Sequence, residues 1–199
     1  SVFLLSTIDN VTWTVTSYKT GISKQFDINK DDSSLYACLE KLDIWKIHYH
    51  HWLEFDDKVW SLPQKLNCGY RVTLHDYYSI CPRVEFISFE NKYCESDKLR
   101  DCNLCIKELG FYPASFMKAK DFDYSIDSWR KRSLEKLSQA EKVITPSMDT
   151  KSRIERYIPL KNIECIPHNE EETVYKINKV AKADGEQINI GFLGAIGFQ

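Results

Sequence analysis

Residues 73–83 read TLHDYYSICPR, and they place a histidine, an aspartate, two tyrosines, a cysteine and an arginine just past a β-prone run. An imidazole beside a carboxylate, His75 next to Asp76, suits orienting or deprotonating a hydroxyl near neutral pH. Tyr77 and Tyr78 offer rings that either stack on a ligand or fill the core under the loop. A second histidine run lies upstream, where IWKIHYHH delivers His48, His50 and His51. Side chains alternate along a strand, so His48 and His50 share a face and His51 points away unless the strand has ended. If the two strands are neighbours, His50 or His51 approaches His75. The competing reading is that each histidine packs at a sheet end and hydrogen-bonds a backbone carbonyl.

Four cysteines, Cys81, Cys94, Cys102 and Cys105, fall within 25 residues, separated by twelve, seven and two residues. The Cys-x-x-Cys pair at 102–105 suits chelation, because a tight turn aims both thiols at one ion. Four thiolates at about 2.3 Å close a tetrahedral zinc shell, which leaves no position for substrate and makes the metal structural. An iron–sulfur cluster, disulfides and buried free thiols are the alternatives. Cys38, Cys68 and Cys165 sit in apolar contexts and read as core. The run HYHHWLEFDD opens like the His-x-His-x-Asp-His run of metallo-hydrolases. Trp52 stands where the aspartate belongs and Leu53 where the last histidine belongs, which disfavours a hydrolytic zinc site.

The chain of 199 residues is 43% hydrophobic and 28% charged, enough for one core-bearing domain and part of a second. A net charge of −2 argues against bulk attraction to nucleic acid or anionic membranes. No apolar run reaches the roughly 18–20 residues of a bilayer span. The opening SVFLLSTID has no basic residue before it and reads as a strand rather than a leader. Seven cysteines, an odd number, point to a reducing compartment, the cytoplasm.

The elements that must position these residues follow from periodicity. Segments 2–7 and 11–17 flank a turn signal and predict a hairpin. Asp/Ser caps precede Leu35, Cys38, Leu39 and Leu42 at helical spacing. A strand at 43–49, a helix-like stretch at 55–66 interrupted by Pro63, and a strand at 69–74 come next. Residues 76–122 lack a regular pattern and form a cysteine-rich insertion. Ile126, Trp129, Leu134, Leu137 and Ala140 make one apolar stripe with charges opposite. The cluster WRKRSLEK on that helix is a solvated face or a contact for phosphate or a membrane surface. A strand at 143–147, a helix near 148–157 and a strand at 162–167 complete the pattern. Strands separated by helices predict a Rossmann-like α/β fold, a parallel sheet with flanking helices. Residues 168–187 are polar and read as a linker, and 188–199 read as the first strand and glycine turn of a second domain. The chain is therefore expected to be truncated at the start of that second Rossmann-like domain and to begin inside the first, spanning 1–167.

The ordered set IHYHH, VTLHDYYSICPR, the Cys…Cys…Cys-x-x-Cys loop, AEKVITPS, NIECIPHN and INIGFLGAIG carries a resemblance. From about residue 43 to 199 the chain resembles the N-terminal half of a family 4 glycosyltransferase, an enzyme of two Rossmann-like domains. The resemblance implies that the N-terminal domain supplies the acceptor side and the C-terminal domain holds a nucleotide-sugar. It places His75 near the transferred sugar and acceptor and matches Cys81, Pro82 and Arg83 to a Cys-Pro-Arg element; together with the reading of the strand ends, this makes His50, His51, Asp76, Tyr77, Tyr78 and Arg83 the expected substrate-side residues. It makes GFLGAIGFQ the diphosphate loop, with Gly194 and Gly197 freeing backbone N–H groups for phosphate oxygens. It further implies transfer with retention, no catalytic divalent metal, and a carbohydrate or lipid-linked acceptor with possible peripheral membrane contact. The family's paired glutamates lie in the second domain, so this chain alone is expected to be inactive. The rival expectation is a non-catalytic, zinc-stapled module that binds carbohydrate or protein.

Overall fold

The computed structural model describes residues 1–7, 9–84, 86–94, 101–110 and 125–167. The chain divides into two compact units, Ser1–His168 and Asn169–Gln199. The linker at 168–187 and the strand and glycine loop expected at 188–199, with Gly194 and Gly197, lie outside the described residues.

The first unit begins with an antiparallel meander of β1 (Phe3–Thr7), β2 (Thr12–Ser17) and β3 (Ser23–Asp27). Asp9 closes the first turn by accepting the N–H groups of Val11 and Thr12. Alternation turns Trp13, Val15 and Phe26 inward, and Trp13 meets Phe55 edge-on at 5.2 Å. The sequence predicted β1 and β2 but not β3, whose SKQFD turns only Phe26 fully into the core.

Helix α1 (Ser33–Lys41) buries Leu35 and Leu39 as its spacing predicted. Asp43 then takes a left-handed conformation, φ 53°, and delays the next strand. β4 is therefore Lys46–Tyr49, shorter than the predicted 43–49. The stretch around Pro63 is a 3₁₀ turn, Asp57–Ser61, followed by a short α2 (Leu62–Lys65) that has the proline in its first turn. There its missing N–H costs nothing.

β4, β5 (Gly69–Thr73), β6 (Lys142–Thr145) and β7 (Ile163–Cys165) form a parallel sheet in chain order. Right-handed crossovers between consecutive neighbours all fall on one side of such a sheet. Burial agrees: Tyr49, Tyr70, Val72, Val143 and Ile163 face the core, while His48, Arg71 and Glu164 on the other side are exposed. That outer side is laced by charge: Glu141 pairs with Lys46 and lies near Arg71, and Lys142 meets Glu164 at 2.8 Å. Gly69 leaves room for the Glu141 carboxylate, which a Cβ would strike.

Helix α4 (Ile126–Ser138) is capped by Ser125 and buries Ile126, Trp129 and Leu137, with Ala140 just beyond. Asn162 closes its far end by donating to the carbonyls of Leu137 and Ala140. Helix α5 (Met148–Glu155) starts at Ser147, which accepts the Thr150 N–H at 3.1 Å. The segment expected to be irregular contains an eight-residue helix, α3 (Cys102–Leu109), so the Cys-x-x-Cys pair opens a helix rather than a loop. The architecture is thus α/β, with a four-stranded parallel sheet flanked by helices and Rossmann-like in general form. Among the described residues, no helix is long and apolar enough to cross a membrane.

Candidate functional site

Parallel pairing of Tyr49 with Val72 brings the carboxyl ends of β4 and β5 side by side. In open α/β sheets this is the edge where ligands bind. Two short histidine systems grow from it. In the first, His50 Nδ1 lies 3.1 Å from His75 Nε2 with the rings stacked at 5.3 Å. One nitrogen must donate and the other accept, so the contact holds a single proton. His48 stacks on His50 at 4.2 Å, and its Nε2 lies 2.8 Å from Thr73 Oγ1. Burial holds the His48 pKa below its ordinary value, and the positive potentials of His50, Arg71 and His75 push the same way.

In the second system, His51 reaches Asp76. The strand has ended at Tyr49, so strict alternation no longer directs His51 away. The Leu53 N–H donates to His51 Nδ1 at 3.0 Å, which keeps that nitrogen unprotonated. The proton of the neutral ring must then sit on Nε2, which donates to Asp76 Oδ2 at 2.7 Å. Asp76 uses its other oxygen to accept the Tyr78 N–H at 2.8 Å, fixing the turn after β5. Expectation and structure agree on the meeting place of the histidines, and the structure resolves the partners: His50 with His75, His51 with Asp76.

Beside His51 runs an aromatic belt that the sequence reading missed. His51 stacks on Tyr78 at 5.8 Å, Tyr78 meets Trp129 edge-on at 5.0 Å, and Trp52 meets Trp60 edge-on at 5.1 Å. Trp52, Trp60 and Trp129 line an open hollow whose rim carries Asp57, Arg132 and Lys136. Lys136 pairs with Asp57 at 2.6 Å and lies over the Trp60 ring. The recoverable signal was Trp52 directly after the histidine run, together with Trp129 on the α4 stripe.

The two tyrosines part company. Tyr78 is only 2% exposed, with its carbonyl taking the Trp129 indole N–H at 2.9 Å, so it belongs to the core under the turn. Tyr77 is half-buried against Phe86 at 4.9 Å, and burial, then Tyr93, pushes its phenol pKa up. Arg83 donates from Nη1 to the Leu109 carbonyl at 3.3 Å, and its buried Nε has no hydrogen-bond partner among the described residues.

Cys81, Cys94, Cys102 and Cys105 all line a second, mostly apolar hollow with Phe86, Phe89, Ile106, Arg130 and Tyr157. Burial pushes the Cys81 thiol up to about 12, with the Arg83 backbone N–H pulling the other way. The Asp101 side chain caps α3 by accepting the Leu104 N–H at 2.9 Å, which sets Cys102 and Cys105 on its first turn. The sulfurs ring the hollow without closing on one another. Among the described residues, no three of His, Cys, Asp and Glu stand close enough together to hold an ion. Cys38 and Cys165 lie elsewhere, and Cys68 has its thiol pKa raised by burial.

No protein-family model, curated protein or solved structure matches the chain.

Proposed function

We propose that this chain forms the acceptor side of a glycosyltransferase that moves a sugar from a nucleotide-sugar to a carbohydrate or lipid-linked acceptor with retention of configuration. The observation that carries the reading is the delivery of His50–His75 and His51–Asp76 to one rim by two adjacent parallel strands. Parallel α/β sheets present reactive side chains at this edge. In this reading His75 faces the reacting centre, and His50 orients its ring through the shared proton. His51, locked as the Nε2–H tautomer, holds Asp76 and hence the turn that carries His75. The half-buried faces of Trp52 and Trp60 suit an acceptor ring, because aromatic faces pack well on the C–H faces of sugars. Arg132 at the same rim, beside the Lys136–Asp57 pair, favours an acceptor bearing negative charge.

The donor side falls to residues 188–199 and beyond, where Gly194 and Gly197 would approach the diphosphate; helix N-termini and basic groups would then stabilise the leaving group without a divalent metal. The odd number of cysteines, seven, fits a reducing, cytoplasmic setting.

The test is sugar transfer by the longest gene product that contains this chain, assayed against nucleotide-sugars and acceptor mixtures. Transfer that falls by about 10²-fold or more in His75→Ala supports the role. Transfer unchanged by that substitution removes His75 from the reaction. Saturable carbohydrate binding without any turnover favours the second reading, a non-catalytic binding module built on the same aromatic hollow.

A further inference from the structure

The four-cysteine hollow is unrelated to the histidine rim in chemistry, although the turn from His75 to Cys81 joins them. We propose that Cys81, Cys94, Cys102 and Cys105 form a structural tetrathiolate zinc site that staples the 76–110 segment to the sheet. Three separate pieces of chain bring the thiols to one hollow: the turn after β5, the end of the small Phe86–Cys94 hairpin, and the first turn of α3. Cysteines scattered for packing alone have no reason to converge from three pieces. The four thiols share the wall of one hollow of about 40 Å³, although they do not stand within bonding distance of one ion as placed.

The charge around the hollow is the second observation. Arg130 lines it, donating to the Ile80 carbonyl at 3.2 Å and lying over the Tyr157 ring, and Arg83, two residues from Cys81, spans to the end of α3 with a buried Nε that has no hydrogen-bond partner among the described residues. Both guanidinium groups are half-buried positive charges close to the thiols. A zinc ion with four thiolates carries a net charge of 2−, which those two cations offset. Cys102 and Cys105 open α3, where the helix N-terminus further favours thiolate. Uptake is acid–base chemistry only: four S–H bonds are lost to solvent as protons, four Zn–S bonds form, and no electron moves. The sulfurs must draw inward on loading. The short pieces that hold them can accommodate that more readily than the sheet.

The need for such a staple is visible in the core. Within 86–94 and 101–110 only Phe86 and Ile106 are deeply buried apolar side chains, too little to order these nineteen residues.

The experiment uses the whole 199-residue chain. Native mass spectrometry should show one zinc ion per chain. Replacement by Co²⁺ should give an intense near-ultraviolet thiolate-to-metal band with the visible bands of a tetrahedral site. Cys102→Ser and Cys105→Ser should each weaken competition against a chromophoric chelator by at least about tenfold, while Cys165→Ser leaves it unchanged. If either serine variant fails to fold, the cobalt spectrum of the unaltered chain still decides. Any of four results overturns the site: a metal-free chain that takes up no cobalt, iron with a visible cluster spectrum, a mass showing disulfides among these four cysteines, or a metal retained equally by both serine variants. No readout involves sugar transfer, so the outcome is independent of the enzymatic reading.

Discussion

Replacing Asp76 with asparagine changes one oxygen to an amide yet should propagate through two residues. Asparagine keeps Oδ1 for the Tyr78 N–H, so its Nδ2 donor faces His51 Nε2–H, donor against donor. His51 escapes only by moving its proton to Nδ1, where the Leu53 N–H already donates. One of the two contacts must fail. A charge-assisted hydrogen bond contributes roughly 1.5–3 kcal/mol. The His51 and Asp76 side chains are 41% and 26% exposed, so water repairs part of the loss and about 1–2 kcal/mol is expected. For a chain of this size that is roughly 2–8 °C in Tm. The assay is urea denaturation of Asp76→Asn alone and in a His51→Ala background. With the ring gone, the asparagine should cost no more than a few tenths of a kcal/mol. Equal costs in the two backgrounds would refute the tautomer argument, as would a long-range ¹H–¹⁵N spectrum showing His51 protonated at Nδ1.

Trp129→Phe removes the indole donor from the buried Tyr78 carbonyl, so it should cost about 1–3 kcal/mol in denaturation while leaving the far-ultraviolet spectrum unchanged. Asn162→Ala strips the cap from the end of α4 and should cost about 1–2 kcal/mol, visible as faster hydrogen exchange near 137–140. The lowered pKa of His48 predicts a pH effect with a definite sign. Below the unfolded value near 6.5 the unfolded chain takes up the proton first, so stability falls with pH until the folded pKa is passed. His48→Gln should flatten that part of the stability profile, and an unchanged profile would assign it to other groups.

Legibility varied with how much each residue's neighbours constrain it. Alternation in IHYHH and the adjacency of two parallel strands were enough to bring His50 or His51 toward His75, and the structure chooses His50. The partner of His51 was hidden because it depends on where β4 stops, and a left-handed Asp43 two residues upstream of Trp45 shifts that strand's start. β3 escaped because SKQFD offers one deeply buried apolar side chain, and its pairing with β2 supplies what propensity does not. α3 escaped for a different reason. Its only deeply buried side chain is Ile106, so no stripe announced it, although Asp101 is a good cap. Tyr77 and Tyr78 share a dipeptide and go to opposite surroundings, because the turn fixed by Asp76 reverses the chain between them. Spacing grouped the four cysteines, and the structure sets them around one hollow without closing them on an ion; Arg130, which shares its wall, arrives from a helix far along the chain and left no signal.

Strands laid down in chain order leave this sheet lopsided, and mutational tolerance should inherit the asymmetry. Along 70–73 a library of random replacements should show survivors at alternate codons: Arg71 freely exchanged, Tyr70 and Val72 nearly fixed. Thr73 breaks the rhythm, because the imidazole of His48 roofs it on the otherwise open flank. The place where a period of two fails would then mark the border between scaffold and rim.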